Sequence, residues 1–179
     1  MTDKKLSKQE LSRYARHLVL PEVGIKGQEK IKHGKVLIVG AGGLGSPAAL
    51  YLAAAGVGTI GIADFDKVEE NNLQRQIIHS TKDIGALKTK SAKNAINNLN
   101  PNISVEIYNE KLNSKNALKI IKSYDVVIDG SDNFPTRYLL NDACVLLKKP
   151  LVYGSIFRFE GHASVFNHDD GPCYRCLFP

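Results

Sequence analysis

The sequence predicts an α/β fold: a mostly parallel sheet with helices on both faces, an N-terminal helical segment, and a C-terminal β-hairpin followed by a cysteine knuckle. Three observations carry that expectation. The aliphatic run Val36 to Val39 stops abruptly at glycine, as a strand buried on both faces does before a tight turn. Strand-length apolar runs then alternate with helix-length amphipathic stretches along the chain. Finally, 179 residues with 43% hydrophobic content suffice for one complete core, so residues 1–179 read as a single domain with 1–33 as its helical leader.

Taken in order, Ser7 and Glu10 form a candidate capping box that opens a helix running to about Val19 and ending at Pro21. Strand Val36 to Val39 leads through glycines into an alanine-rich helix, Leu44 to Ala55, where Pro47 is tolerated because it falls in the first turn. A second strand, Thr59 to Ala63, ends at Asp64. The polar stretch from Asp66 to Asp83 has no strong periodicity and is long for a connection in a compact domain, which favours a functional loop. A helix is expected from about Ala86 to Leu99, then a strand from Ser104 to Tyr108 and a helix capped by Ser114 and running to Lys122. Strand Val126 to Ile128 ends at Asp129. Helix Thr136 to Leu147 and strand Leu151 to Tyr153 complete the parallel set, and IFRFEGHASVF reads as a hairpin turning near Glu160 and Gly161.

The glycine turn is a Gly-x-Gly-x-x-Gly loop formed by Gly40, Gly42 and Gly45 between strand and helix, with Gly43 inside it. A Cβ there would block both the turn and the approach of backbone to a phosphate; free N–H groups and the helix dipole then face the anion. Asp64, about twenty residues past the loop, stands where an acid accepts hydrogen bonds from ribose hydroxyls. Together these read as a Rossmann-like nucleotide site. The alternative is a glycine turn that packs helix on strand, with Asp64 merely solvated.

The polar loop departs from an ordinary dehydrogenase. Asn71, Asn72, Gln74, Arg75 and Gln76 fall within six positions, just beyond the strand end that carries Asp64, so they project over the crevice where open sheets bind ligands. Arg75 suits bidentate pairing with phosphate, Lys88 supplies a point charge, and Asp132 beyond the fourth strand suits Mg²⁺. Two cations and one carboxylate fit a triphosphate better than a dinucleotide. The competing reading makes Arg75 and Lys88 surface charges and has Asp132 with Asn133 cap the following helix.

Composition excludes other classes. No segment approaches the ~20 apolar residues of a membrane span, and the polar start MTDKKLSKQE has no apolar run of signal-peptide type, so a cytoplasmic location is expected. The net charge of +6 is spread without a basic run of five, which argues against a nucleic-acid surface and suits an anionic ligand or acidic partner. Three cysteines do not make a disulfide framework. Cys173 and Cys176 form one Cys-x-x-Cys after a Gly-Pro turn, a knuckle suited to two of the four ligands of a structural zinc. His162 and His168 are alternative ligands, a redox pair is a further reading, and Cys144 reads as a small core residue.

These motifs resemble the ThiF, MoeB and HesA proteins, bacterial relatives of the ubiquitin-activating enzymes. The resemblance covers essentially the whole chain: RYARH at 13–17, GAGGLGS at 40–46, DFD at 64–66, NNLQRQ at 71–76, GALK at 85–88, GSDNFPTR at 130–137 and GPCYRC at 171–176. The wording of GSIFRFEGHASVF and CYRCLFP is most similar to MoeB-type members.

The resemblance implies ATP-dependent adenylation of the C-terminal glycine carboxylate of a small ubiquitin-like sulfur carrier of MoaD or ThiS type, with release of pyrophosphate. By the same resemblance Asp64 would hold ribose; Asn72, Arg75 and Lys88 would hold phosphates; Asp132 would bind Mg²⁺; Gly43, Asp66, Gln76 and Asn133 would complete the nucleotide site. Arg16, the second arginine of RYAR, would reach into a partner subunit's site and make homodimerisation part of the chemistry. A rhodanese or a cysteine desulfurase would be the sulfur donor, and the pathway, whether molybdopterin, thiamin or tRNA thiolation, would follow from the carrier. Family members continue past this point to a second zinc pair, so the chain reads as C-terminally incomplete, with half a zinc site. Two readings compete: a non-catalytic nucleotide-binding or interaction module, and an NAD-dependent oxidoreductase, for which no hydride-transfer constellation is evident.

Overall fold

A computed structural model describes residues 5–179; the first four residues of the polar leader lie outside it. Six strands form one sheet: β1 (Lys35–Val39), β2 (Thr59–Ala63), β3 (Ser104–Tyr108), β4 (Val126–Asp129), β5 (Leu151–Phe157) and β6 (Glu160–Phe166). Their order is β3-β2-β1-β4-β5-β6, parallel except for the antiparallel β5–β6 hairpin. The order reverses between β1 and β4. That reversal opens a crevice beyond the carboxyl ends of the strands, where sheets of this kind bind ligands.

Alternation along β1 builds two cores. Val36 and Ile38 face one layer with Ala49 and Ala53 of α4 (Gly45–Ala55) and Ala92 and Ile96 of α5 (Lys88–Leu99). Leu37 and Val39 face the other, with Ile120 and Ile121 of α6 (Ala117–Ile121) and Leu140, Ala143 and Cys144 of α7 (Phe134–Leu147). Four successive buried aliphatics, two on each face, are what a central parallel strand needs. Burial pushes the Cys144 thiol up to about 12, which keeps it an inert core residue.

The leader folds as three helices: α1 (Lys8–Arg13), α2 (Ala15–Leu18) and α3 (Gly24–His33). The Ser7–Glu10 capping box is present, but the expected single helix to Val19 breaks at Tyr14. The break lets the Tyr14 ring be buried, with its hydroxyl accepting from Asn100 Nδ2 at 2.9 Å. Asn100 also donates to the Ala53 carbonyl, and Gln28 of α3 donates to the Ala55 carbonyl. These anchors satisfy carbonyls at the end of α4, so the leader docks where α4 and α5 finish. Helices in such folds run back against their strands, which places the leader at the end of the sheet away from the crevice.

Two other expectations shift. Ser114 does not cap a helix; the Asn113 and Asn116 side chains take the local backbone donors, and α6 starts only at Ala117. The hairpin turns at Arg158–Phe159, not at Glu160–Gly161, because the ladder pairs Phe157 with Glu160 and Ile156 with Gly161. The seven-residue register is fixed at its other end, where Leu151 and Phe166 pair inside the core. There α8 (Tyr174–Leu177) packs the ring of Tyr174 among Tyr153 and Phe166, while Asn141 of α7 accepts its N–H at 2.7 Å.

Gly45 admits no side chain: a Cβ would overlap the carbonyl of Gly40. Gly45→Ala is therefore expected to cost about 3 kcal/mol or more, because only backbone displacement relieves the clash. A urea-unfolding midpoint within error of the parent protein's would refute this account of the turn.

Candidate functional site

A cleft opens at the carboxyl end of the sheet, lined by the glycine loop, the ends of β1, β2 and β4, and the loops that follow them. Gly40, Gly42, Gly43, Asp64, Asp66, Arg75, Gln76, Lys88, Asp132 and Asn133 all border it. Gly45 lies beneath, buried at the start of α4. Gly40, at φ 94°, has the Gly130 backbone so close that a Cβ would stand 2.7 Å from its carbonyl oxygen. This close contact brings the β1 and β4 loops side by side, so that Asp132 borders the same cleft as Arg75 and Lys88.

Asp64 holds the loop as well as facing the cleft. Its Oδ2 accepts the Ala41 N–H and its Oδ1 accepts the Asp66 N–H, both at 2.8 Å. A carboxylate has further lone pairs, so both oxygens remain open to hydroxyl donors. The N–H groups of Gly42 and Gly43 donate to no protein group among the described residues. Gln76 is buried, and its Oε1 lacks a hydrogen-bond partner. A glycine cradle with unengaged N–H groups and an orphaned buried amide fits a ligand that carries both acceptors and donors, as a nucleotide does.

Lys88 is the first residue of α5 and is buried, its Nζ 3.2 Å from Asp66 Oδ2. Arg75 is exposed, with its aliphatic stem beside Gly43 and Nη1 donating to the Asn71 carbonyl at 3.3 Å. Asn72 turns inward to its own loop: its Oδ1 accepts the Glu69 N–H, its Nδ2 donates to Asn71, and it does not border the cleft. Asn133 caps α7, its Oδ1 accepting the Thr136 N–H, and Asp132 stands exposed just outside that cap. An exposed carboxylate on the same cleft as two cations suits Mg²⁺, which uses one or two carboxylates and takes its remaining ligands from phosphates and water. Arg16 lies exposed on α2, away from the cleft.

Several neighbours were not singled out in the sequence. Phe65, Glu110, Lys111 and Leu112 border the cleft, with Lys111 Nζ 6.0 Å from the Phe65 ring centroid. The rule that ligands sit past strand ends would have flagged the loop after β3, but nothing in its composition does. Asp129 is buried at the end of β4; Ser131 donates to its Oδ1 from both N–H and hydroxyl, while Oδ2 has no partner. Burial raises its carboxyl above the usual range. The Arg137 guanidinium lies 5.4 and 5.3 Å from the Phe134 and Tyr153 ring centroids, with Nε unpartnered. Cys173 and Cys176 bring their sulfurs to 3.5 Å, close to the ~3.8 Å edge of a tetrahedral zinc-thiolate site. No group of three His, Cys, Asp or Glu suited to a metal occurs among the described residues, so His162 and His168 do not complete the pair. No described helix is long and apolar enough to cross a membrane.

A glycine loop at the switch point, an acid just past the second strand, two cations further along the same connection and a carboxylate past the fourth strand define an α/β domain of Rossmann type with its cleft at the carboxyl ends of the strands. The chain belongs to the ThiF family, whose sequence pattern matches residues 14–179. It is 53% identical over 178 residues to the sulfur carrier protein adenylyltransferase of Thermus thermophilus, covering 97% of this chain and 66% of that protein. It is 55% identical over 175 residues to the adenylyltransferase and sulfurtransferase MOCS3 of Culex quinquefasciatus, covering 98% of this chain and 40% of that protein. Among solved structures, E. coli MccB with ATP superposes at a TM-score of 0.83 with 28% identity, over 93% of this chain and 52% of that one. The chain thus spans about two fifths to two thirds of the length of these curated relatives.

Asp129 generates a pH prediction. A carboxyl whose folded-state pKa lies above its unfolded value takes up a proton on folding between the two, so its contribution to stability rises as pH falls through the folded value and levels off below the usual value near 4. Asp129→Asn is expected to remove that part of the dependence. Urea midpoints of parent and variant, taken from pH 7 downward, should therefore differ in slope; parallel curves would exclude a raised Asp129.

Proposed function

We propose that this domain adenylates the C-terminal carboxylate of a small ubiquitin-like sulfur-carrier protein, using ATP. The observation that carries the reading is the single cleft that gathers the glycine cradle, Asp64, Arg75, Lys88 and Asp132. In support, relatives above 50% identity are named adenylyltransferases, one of them for sulfur carrier protein, and a structural neighbour is described with ATP. In the reaction a carboxylate oxygen attacks the α-phosphorus, a new P–O bond forms, the bond to the bridging oxygen breaks, and pyrophosphate departs with that electron pair. No proton need move at neutral pH. The protein's task is therefore alignment and charge stabilisation.

In this reading Asp64 accepts the ribose hydroxyls, and the Gly42 and Gly43 N–H groups with Gln76 border the phosphates. Arg75 and Lys88 neutralise charge gathering on the leaving pyrophosphate. Asp132 holds Mg²⁺, which offsets phosphate charge. Asp66 orients Lys88 through their contact, and Asn133 fixes the start of α7 beside Asp132. Asn72 acts by holding the loop that presents Arg75. Arg16 is too far from its own cleft to serve it, because the leader is anchored to the finishing ends of α4 and α5; it serves the cleft of a second copy in a homodimer. Cys173 and Cys176 supply half of a structural zinc site, and the sulfur donor is a rhodanese or cysteine desulfurase. The unused hydride chemistry of an oxidoreductase finds no group in the cleft.

ATP–pyrophosphate exchange with a ubiquitin-like sulfur carrier tests the reading on the intact natural protein. Arg75→Ala and Asp132→Ala are each expected to reduce exchange about a hundredfold, the scale for removing one preorganised charge or donor. Tighter binding of NAD than of MgATP, or exchange unchanged in both variants, would overturn it. Arg16→Ala separates the trans-acting role: MgATP affinity should persist while exchange is lost, and mixing with an Arg75→Ala protein should restore part of the exchange through hybrid dimers. Failure of that complementation would remove Arg16 from the partner's site.

A further inference from the structure

His79 lies just past the polar loop, buried, and borders no part of the cleft. Its Nε2 is 3.0 Å from the carbonyl oxygen of Ala41, the residue between the first two glycines of the loop. A carbonyl only accepts, so Nε2 carries a proton. Its Nδ1 is 2.8 Å from the Ser91 hydroxyl on α5. In a neutral ring Nδ1 accepts, so the Ser91 hydroxyl donates to it and selects the tautomer that holds Ala41. Burial lowers the His79 pKa, with nearby Lys88 acting in the same direction, which keeps the ring neutral.

The consequence lies one bond further on. The Ala41–Gly42 peptide is trans, so its C=O and N–H point in opposite directions. Fixing the oxygen on the buried side turns the Gly42 N–H the other way, on the side where Gly42 borders the cleft. The preceding peptide is held independently, its Ala41 N–H given to Asp64. Ser46 Oγ reaches the same Ala41 oxygen only at 3.5 Å, so His79 makes the closer contact. Glycine at 42 resists neither orientation of the peptide, because it lacks the Cβ that would restrict φ.

We propose that His79 is a positioning residue for the nucleotide's phosphates: through Ala41 it locks the peptide plane that aims the Gly42 N–H at the anion. This rests on the ATP reading above, and it assigns to a side chain outside the cleft the preorganisation of one phosphate donor.

Calorimetric titration of the intact natural protein with MgATP and, separately, with adenosine tests it, using His79→Gln and His79→Asn. A glutamine amide nitrogen takes the position of Nε2 and can still donate to Ala41; an asparagine amide reaches only the Nδ1 position. The expected result is MgATP affinity within about threefold of the parent for His79→Gln and a loss of about tenfold for His79→Asn, with adenosine affinity the same in both. Ser91→Ala, which frees the tautomer without touching the ring, should show a smaller loss confined to MgATP. Equal MgATP affinities for the Gln and Asn variants overturn the proposal, and so does an adenosine loss as large as the MgATP loss, which marks general disruption. A parent protein that binds no MgATP overturns the ATP reading, and this inference with it.

Discussion

Everything at the functional end of this domain depends on three backbone segments meeting with no side chain between them. Gly40, Gly45 and Gly130 approach so closely that a Cβ on any of them falls about 3.0 Å or less from a neighbouring carbonyl oxygen. That contact is a packing constraint before it is a binding feature. It draws the first turn of α4 tight against β1 and the β4 loop tight against the β1 loop, and the crevice at the switch point narrows to a cleft bordered by the glycine loop and by Asp132 of the β4 loop. Substrate contact is not needed to explain these glycines; the sheet's own closure requires them.

Around that contact, polar groups are arranged to leave some backbone donors unused while satisfying their neighbours. The Ala41 N–H goes to Asp64, the Ala41 carbonyl to His79, and the Asp66 N–H to Asp64, whereas the Gly42 and Gly43 N–H groups find no protein acceptor among the described residues. Unpaired polar groups cost free energy when water cannot reach them, so leaving the Gly42 and Gly43 donors unpaired beside an open cleft is cheap and leaves them ready for an anion. The same logic fits Gln76, whose burial without a partner for Oε1 is the costlier arrangement.

Much of this was legible in the sequence because it rests on local rules. The glycine spacing, the β-branched run of β1 and the end of β2 at Asp64 follow from strand alternation and turn sterics, and β2 and β3 fall where the apolar pattern places them. The misreadings came where tertiary contact outweighed local signal. Tyr14 breaks a helix to reach a buried site against Asn100, a partner 86 positions away. The hairpin ignores its glycine because the register is set at the Leu151–Phe166 end. His79 and Asp129 carry no local motif that distinguishes them from surface residues, and Arg137 closes the GSDNFPTR motif with nothing in it to announce its ring contacts; their burial and partners come from elements brought together only by the fold. Asn72 sits in a motif that pointed to phosphate, yet its amide is spent on the loop's own turn.

Lys88 shows how fold and chemistry constrain one another. It opens α5, where the partial positive charge of the unpaired N–H groups disfavours a second cation, and it is buried, which disfavours the charge again. Asp66 offsets part of both penalties at 3.2 Å while remaining half exposed itself, with its side chain 52% accessible. The pair is unevenly buried, with both partners bordering the cleft. Lys88, the start of α5 and Arg75 border one cleft and are of one sign, and Asp132 borders the same cleft. The cleft as a whole is not cationic, since Asp64, Asp66, Glu110 and Asp132 border it with Arg75, Lys88 and Lys111; what the fold supplies is positive charge concentrated where α5 begins, which an anionic ligand would relieve.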